Sequence, residues 1–271
     1  DSTDVVLASI QTSGDIDFAY EANNNRATSR TNNPAFIDGQ EGWHHLTFIA
    51  NNSTDQLYIY KNGVVLALEA GARSGDASGV TFGDYTTTTN LWLGCRNENG
   101  SVNAPVSANI ANIGIWNRAL SSSEIESIYW KGQYADLKNT ELTNLVSWYN
   151  LSADANDSTG TNNGTNNGAT FLTDAYSASS PFLPRIQDKA SDTVANYGEV
   201  YGGNAVSFDG TNDYISITDN DSLSFGDGST DSAFTVSAWV KMDDANEFVF
   251  INKGTYNSNG EWIFATNNED K

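Results

Sequence analysis

The chain has 271 residues, enough to bury a substantial hydrophobic core as one large domain or as two small ones. Its formal net charge is -21, with 34 Asp and Glu against 13 Lys and Arg, which argues against binding to nucleic acid or to an anionic membrane surface. The single cysteine, Cys95, excludes an intrachain disulfide, and no run approaches the roughly 20 apolar residues of a membrane-spanning helix.

The first part of the chain is predicted to consist mainly of short β-strands. Apolar and polar residues alternate with a period of two, or apolar residues form short runs between turn residues. The predicted strands cover residues 5–10, 15–20, 45–50, 56–60, 64–69, 90–94 and 112–116. Asn62-Gly63 separates two of them and predicts a tight hairpin, because this dipeptide tolerates positive φ.

One segment, ALSSSEIESIYWKG, has helical periodicity. Ser121 and Glu124 have the spacing of a capping box, which satisfies free amide groups at a helix start. An apolar i, i+3, i+4 stripe follows, formed by Ile125, Ile128 and Tyr129. Gly132 then supplies a stop signal, so the pattern predicts one short helix of about two turns lying on a sheet.

The remaining part again reads as strands. They are predicted at 144–151, 204–208, 214–217, 234–241, 247–252 and 261–265. Between them, the Asn- and Gly-rich segment 154–171 and residues 172–203 are interpreted as long surface connections. About a dozen short strands and one helix predict an all-β fold, a two-sheet antiparallel jelly-roll β-sandwich.

Five segments resemble the laminin-G-like, concanavalin A-like lectin/glucanase jelly-roll domains of bacterial and phage surface proteins. They are NLVSWYNLSADANDSTGTNNGTNNGATF, NAVSFDGTNDYISI, FTVSAWVK, GWHHLTFIANNSTDQLYIYKNG and IGIWNRALSSSEIESIY. Together they span most of the chain. The resemblance implies a concanavalin A-like β-sandwich, with carbohydrate or glycoconjugate binding as the expected function and bound Ca²⁺ as an expected cofactor.

The order of these segments differs from that of the family. The family order begins with the SWYNL strand and ends with the WNRALS helix, whereas this chain begins in the middle of that series. We therefore predict a single jelly-roll domain over 1–271 in circularly permuted order. In that interpretation 1–133 is the family's C-terminal part, 134–197 a connection with the first family strand, and 198–271 the family's N-terminal part.

Two arrangements are compatible with this order. In the favoured one the chain closes on itself, and the fused text EWIFATNNEDKDSTDVVLASI reads as strand, polar turn and strand. In the alternative, two half-domains are completed by neighbouring chains, giving a homo-oligomer or a head-to-tail assembly. An unpaired half would expose sheet edges and half of a core, which soluble proteins avoid.

Catalysis is the less favoured function. Glycoside hydrolysis needs a carboxyl pair roughly 5–10 Å apart, and the best candidates are Asp15, Asp17 and Glu21, which share one face of a predicted strand. They lack the Glu-x-Asp-x-Glu pattern of the related glucanases, so we interpret them as a solvated acidic face and predict no enzyme activity. His44 and His45 are adjacent and should point to opposite faces of a strand, so they cannot serve one site.

Calcium is the predicted cofactor. Hard cations prefer several oxygen ligands on loops, and Asp209, Asn212 and Asp213 lie within five residues in a predicted turn. The same side chains also form hydrogen-bonded turns without any metal. Further Asp and Asn residues follow at Asp219, Asn220, Asp221, Asp227 and Asp231.

Glycan binding needs exposed aromatic side chains beside polar loops. Tyr85, Tyr256 and Trp262 are the candidates, although a core role is open for each. We expect a non-catalytic lectin-like binding or adhesion module on an extracellular, cell-surface or virion protein, with a glycan or glycoconjugate as its partner. The alternative is a structural, self-assembling repeat unit of a fibre, filament or shell.

Overall fold

The structure is a computed structural model that describes residues 5–10, 14–22, 25–36, 42–78, 90–98, 100–132, 136–138, 142–172, 205–225, 232–242, 249–255 and 259–265. Within these ranges, residues 5–10, 19–22, 25–26, 255 and 259–265 are described by their backbone alone. The described part is mostly β-structure, and its antiparallel sheets with one α-helix confirm the predicted all-β fold. No helix in these ranges is long and apolar enough to cross a membrane.

The first sheet, called sheet I, has eight strands. In spatial order they are β12 (Gly164–Asn167), β15 (Tyr214–Ile217), β7 (Leu91–Leu93), β17 (Val249–Thr255), β18 (Asn259–Ala265), β1 (Val5–Ile10), β2 (Ile16–Ala22) and β3 (Asn25–Arg30). The pairing of β1 with β18 is parallel, whereas the other pairings in sheet I are antiparallel.

The second sheet, called sheet II, faces the first. Its spatial order is β13 (Thr170–Leu172), β14 (Ala205–Asp209), β10 (Ser107–Trp116), β16 (Phe234–Met242), β4 (His44–Asn51), β5 (Gln56–Lys61) and β6 (Val64–Val65). An additional strand, β11 (Leu145–Tyr149), also pairs with β10. A separate hairpin joins β8 (Arg96–Glu98) to β9 (Ser101–Asn103).

Inward-facing residues of both sheets form one hydrophobic core. Alternation along a strand places every second side chain on this face. The predicted inner face of β16 is confirmed, since Phe234, Val236 and Val240 are buried in the core and Ala238 packs against it. From sheet I the core receives Leu91, Leu93, Ile215, Ile217 and Ile251.

The outer face of sheet II is covered by the helix α1 (Ser122–Lys131). The predicted capping box forms between Ser121 and Glu124, the predicted stripe is buried, and Gly132 is the C-cap residue. The helix has 10 residues, nearly three turns rather than about two. Its buried stripe packs into two clusters on the sheet, which contain among others Ile49, Tyr60, Trp116, Trp43 and Trp239.

The predicted hairpin at Asn62-Gly63 is confirmed, with positive φ at both residues, but its second strand is shorter than predicted. Strand β6 ends at Val65 instead of continuing to 69. The backbone beyond it crosses to sheet I, where the amide of Asn32 donates to Ala67 O at 3.0 Å and that of Glu69 donates to Arg30 O at 2.8 Å. This crossing closes one side of the sandwich.

The Asn- and Gly-rich segment 154–171 is not only a surface connection. It contains β12 and the start of β13, which pair with β15 of sheet I and β14 of sheet II respectively. The composition predicted a loop because Asn and Gly have low strand propensity. Backbone pairing with β15 and β14 nevertheless orders this segment as two edge strands. The second predicted connection, residues 172–203, lies outside the described residues from 173 onwards.

Strands from residues 205–265 pair with strands from residues 5–116 in both sheets. Strands β14 and β16 flank β10, β16 also pairs with β4, and β15 and β17 flank β7. Strands β18 and β1 are neighbours as the fused text suggested, but they run parallel, so a short hairpin turn is not the connection that this geometry favours. The permuted order of the family's parts stays a prediction.

Candidate functional site

The outer face of sheet I carries an aromatic and polar surface around β7. Leu91 and Leu93 point into the core, so the alternation of the strand places Trp92 on the opposite face. Ser216 and Asn252 are the residues directly opposite Trp92 on the two neighbouring strands. The pairing therefore brings a hydroxyl and a carboxamide beside the indole.

Tyr214 stacks on Trp92. The ring centroids are 4.2 Å apart and the ring planes are inclined by 14°, an offset parallel arrangement that aromatic pairs favour. Trp92 is 6% exposed and Tyr214 is half-buried, so Tyr214 is the ring of this pair that meets solvent. The Trp92 Nε1 donor is buried and has no hydrogen-bond partner among the described residues.

Polar side chains on the neighbouring strands are held in place by hydrogen bonds. Asn167 Nδ2 donates to Ser216 Oγ at 3.3 Å and to Thr165 O at 3.0 Å. Asn252 Nδ2 donates to Gly254 O at 2.8 Å. These contacts fix amide and hydroxyl groups next to the stacked rings.

A buried ion pair lies behind this surface, on the core side of sheet I, because Lys253 is directly opposite the core residue Leu91. The side chain of Lys253 is fully buried, and its Nζ lies 2.5 Å from Asp219 Oδ1. Asn90 ties the same strand ends together, since its Oδ1 accepts from the Asp219 amide at 3.2 Å and its O accepts from the Gly254 amide at 3.3 Å. A buried charge is tolerated only when it is paired. The Asp219 carboxylate therefore allows the Lys253 ammonium group to be buried.

Two of the three predicted aromatic ligand residues, Tyr85 and Tyr256, lie outside the described residues. Trp262 lies in β18 with its backbone opposite Lys253, and its side chain is outside the described part. Their roles in ligand binding stay predictions.

The predicted metal residues form a hydrogen-bonded turn after β14. Asp209 Oδ1 accepts from the amides of Thr211 at 2.8 Å and Asn212 at 3.4 Å, and Asp213 Oδ2 accepts from the Asp209 amide at 3.2 Å. Burial and the neighbouring Asp209 carboxylate raise the pKa of Asp213, against the backbone hydrogen bond that lowers it. In the ranges that the structure covers, no three His, Cys, Asp or Glu side chains form a group able to hold a metal.

The predicted acidic face of β2 contains a salt bridge. Both carboxylate oxygens of Asp17 are contacted by the Arg30 guanidinium, with Nε at 2.5 Å and Nη2 at 2.7 Å. Asp17 is buried and Asp15 is partly buried on the same face, while the Glu21 side chain lies outside the described part. A carboxylate held in a bidentate pair is poorly placed to donate or accept a proton.

His44 and His45 point to opposite faces of β4, as predicted. His44 lies edge-on to Phe36 with ring centroids 5.0 Å apart, whereas His45 lies beneath α1 between Tyr129 and Trp239. His45 Nε2 is 2.5 Å from Ser237 Oγ, and burial lowers the pKa of His45 to about 3. Both imidazoles are buried, and this His–Ser pair is sealed below the helix.

Sequence reasoning missed Trp92, Tyr214 and Lys253. For Trp92 a signal was present, because in Asn-Leu-Trp-Leu the two leucines mark the core face and assign the tryptophan to the other one. Tyr214 could be assigned similarly, from Ile215 and Ile217. The partnership of Lys253 with Asp219 has no local signal, since 34 residues separate the two.

Residues 2–126 match a family model, Laminin_G_3, described as the concanavalin A-like lectin/glucanases superfamily. The resemblance to this superfamily is confirmed over that stretch. The concanavalin A-like match ends within α1, so Asn90 and Trp92 lie inside it, whereas Tyr214 and Lys253 lie beyond it. No curated protein and no solved structure matches the chain.

Proposed function

We propose that the protein is a non-catalytic, lectin-like binding or adhesion module that recognises a carbohydrate or glycoconjugate. The observation that carries this proposal is the Trp92–Tyr214 stack on the outer face of sheet I, with amide and hydroxyl groups fixed beside it. The concanavalin A-like fold supports the ligand class. A place on an extracellular, cell-surface or virion protein follows from the ligand and the acidic composition.

The surface has the chemistry of a sugar site. A pyranose presents an apolar C–H face that packs on an aromatic ring, while its hydroxyls need donors and acceptors around that ring. One face of Tyr214 is occupied by Trp92, so a sugar would stack on the other face. Asn167 and Ser216 would then bind its hydroxyls, whereas Asn252 is 2% exposed and bonded to Gly254 O.

A glycan array tests this proposal with the intact chain, and the variant Tyr214→Ala tests the site. We expect binding to one class of glycan and at least about a fivefold loss of affinity in Tyr214→Ala, because the stacking surface is removed. Tyr58→Ala is the matched control, since Tyr58 is a half-buried tyrosine of β5 in sheet II. Silence across the array, or equal losses in both variants, would contradict the proposal.

Glycoside hydrolysis is the competing activity for the same ligands, and we propose that the chain lacks it. The salt bridge of Asp17 with Arg30 supports this view. Release of reducing sugar from a bound glycan, abolished by Asp17→Asn with binding retained, would contradict it.

Calcium at Asp209, Asn212 and Asp213 is a further part of the proposal. The turn offers two carboxylates and one carboxamide, a fraction of the six to eight oxygens that Ca²⁺ takes, so water or other groups would complete the shell. We expect Ca²⁺ added after EDTA to raise Tm, because it binds the folded state. Asp213→Asn should remove this increase, and an unchanged Tm in the wild type would exclude a calcium site that contributes to stability.

A further inference from the structure

The three large hydrophobic side chains most exposed in the described part of the chain are Trp130, Val64 and Val65. They are 41%, 55% and 50% exposed. Trp130 is near the C-terminal end of α1, and the two valines form β6 at the edge of sheet II. Single exposed apolar residues are common, but a group that comes from two elements points to a ligand surface.

The turn between β5 and β6 rests on the helix, which brings Val65 and Trp130 to one region, whereas Val64 is paired with the core residue Lys61 and faces the other side of the sheet. A Cβ added at Gly63 would lie 3.2 Å from Tyr129 and 3.4 Å from Glu126, so the turn and the helix are in close contact. Val65 is paired with Tyr60, whose side chain packs in the cluster beneath α1. Val65 therefore faces the side of the sheet on which the helix and Trp130 lie.

The Trp130 ring is oriented by two contacts. Its Nε1 donates to Glu126 Oε1 at 3.3 Å, one helical turn earlier, and its ring contacts Tyr129 at 5.1 Å between centroids. An indole held in this way loses little conformational entropy when a ligand stacks on it. A carboxylate accepts several hydrogen bonds, so Glu126 can serve both the indole and a ligand hydroxyl.

The size of the surface distinguishes between a protein partner and a sugar as its ligand. The two exposed apolar side chains, Trp130 and Val65, offer at most a few hundred Å², whereas each partner in a specific protein–protein interface contributes about 800 Å². One indole face matches one pyranose ring. The carboxylate of Glu126 and the net charge of -21 disfavour acidic sugars and select a neutral one.

We propose that Trp130, with Glu126 and Val65, forms a second glycan-binding site that takes a neutral pyranose. The first site lies on the outer face of sheet I, and the second site lies on the helix that covers sheet II. The two sites are therefore on opposite sides of the sandwich. One chain can then bridge two glycans, as an adhesion module requires. The bridging role rests on the proposed function, while the second site itself does not.

The test is a titration of protein with ¹⁵N-labelled tryptophan, whose seven indole signals report separately on the seven residues. The probes are neutral gluco-, manno- and galacto-oligosaccharides at up to about 10 mM, because one stacked ring gives an affinity near millimolar. The signals of Trp130 and Trp92 are identified by their absence from Trp130→Phe and Trp92→Phe. We expect a saturable shift of both signals with the same probe.

The variants then separate the two sites. Trp130→Ala should weaken binding at the helix at least about fivefold and leave the Trp92 response unchanged, because Trp130 is exposed and belongs to none of the hydrophobic core clusters. Trp130→Phe, which keeps an aromatic face, should retain most of the binding. A shift of Trp92 without Trp130 would overturn the second site alone. A shift of Trp130 alone would support it and contradict the first site, and no shift of either would overturn both.

Discussion

Several polar side chains of this protein are buried inside a mainly apolar sandwich, and each has a partner that explains its burial. His45 contacts Ser237, Lys253 contacts Asp219, and Lys61 donates to Ala35 O with its Nζ 4.0 Å above the Phe36 ring. Burial lowers the pKa of Lys61 to about 8. Leaving a buried polar group without a partner destabilises the fold by more free energy than a typical buried hydrogen bond contributes.

His45 should make stability depend on pH. Its folded-state pKa of about 3 lies below the ordinary histidine value of 6.5, so the folded protein binds fewer protons than the unfolded chain between these values. The free energy of unfolding therefore falls as pH falls from 6.5, by up to about 1.4 kcal/mol per pH unit from this residue. We expect His45→Gln, which keeps a polar partner for Ser237, to flatten the dependence.

Urea unfolding between pH 4.5 and pH 6.5 measures this effect. Hydrogen bonds with Arg118 chiefly lower the pKa of Glu124 from 4.5 to about 2, so its own effect on stability enters only at the lower end of this window, where the unfolded carboxyl begins to bind protons. The difference between wild type and variant isolates His45 from other groups. Equal pH slopes in the two proteins would show that the imidazole is solvated or protonated in the folded state.

At the scale of elements, close contacts between turns and strands decide which positions accept a side chain. Gly94 follows β7 and has a φ of +90°, and a Cβ added there would lie 2.5 Å from the Phe208 ring. Gly100, in the β8–β9 turn, has a φ of +85° and nothing within 4 Å of an added Cβ. The two glycines carry nearly the same backbone strain and differ in packing.

Gly94→Ala and Gly100→Ala therefore form a matched pair. Both should lose about 1 kcal/mol from the left-handed backbone, and Gly94→Ala should lose about 2 kcal/mol more because Phe208 must move. Chemical denaturation of the two variants measures the difference. Equal losses would contradict the contact between β14 and the residue after β7.

The elements that could be predicted are those whose determining residues lie close together in the sequence. Helix α1 could be predicted because Ser121, Glu124 and Gly132 lie within the helix or at its ends, and the β5–β6 hairpin because Asn62-Gly63 has one favoured geometry. Strands β12 and β13 could not, since Asn and Gly disfavour strands and only distant partners order them.

The candidate site was less predictable than the fold, because long-range pairing assembles it. Lys61, beside the predicted Asn62-Gly63 turn, is a core residue, and Lys253 is paired with Asp219 in the loop after β15. The face of Trp92 was readable from its flanking leucines, but its stacking partner comes from β15, more than 100 residues away. In each case, residues distant in the sequence determine the surroundings of the side chain.

At the scale of the molecule, two separate parts of the chain complete one another. Trp92 and Asn90 come from the part before α1, and Tyr214, Asp219 and Lys253 from the part after it. The same division runs through sheet II, where β16 lies between β10 and β4. We propose that one chain closes the sandwich, so that the core and the glycan site depend on the same closure.

The molar mass in solution, measured by size-exclusion chromatography with multi-angle light scattering, tests this closure most directly. A chain that closes on itself should elute as a single species of 29.2 kDa at all protein concentrations, because its sheets need no strands from a neighbour. A dimer, or a mass that grows with concentration, would contradict closure within one chain and would indicate that neighbouring chains exchange their halves.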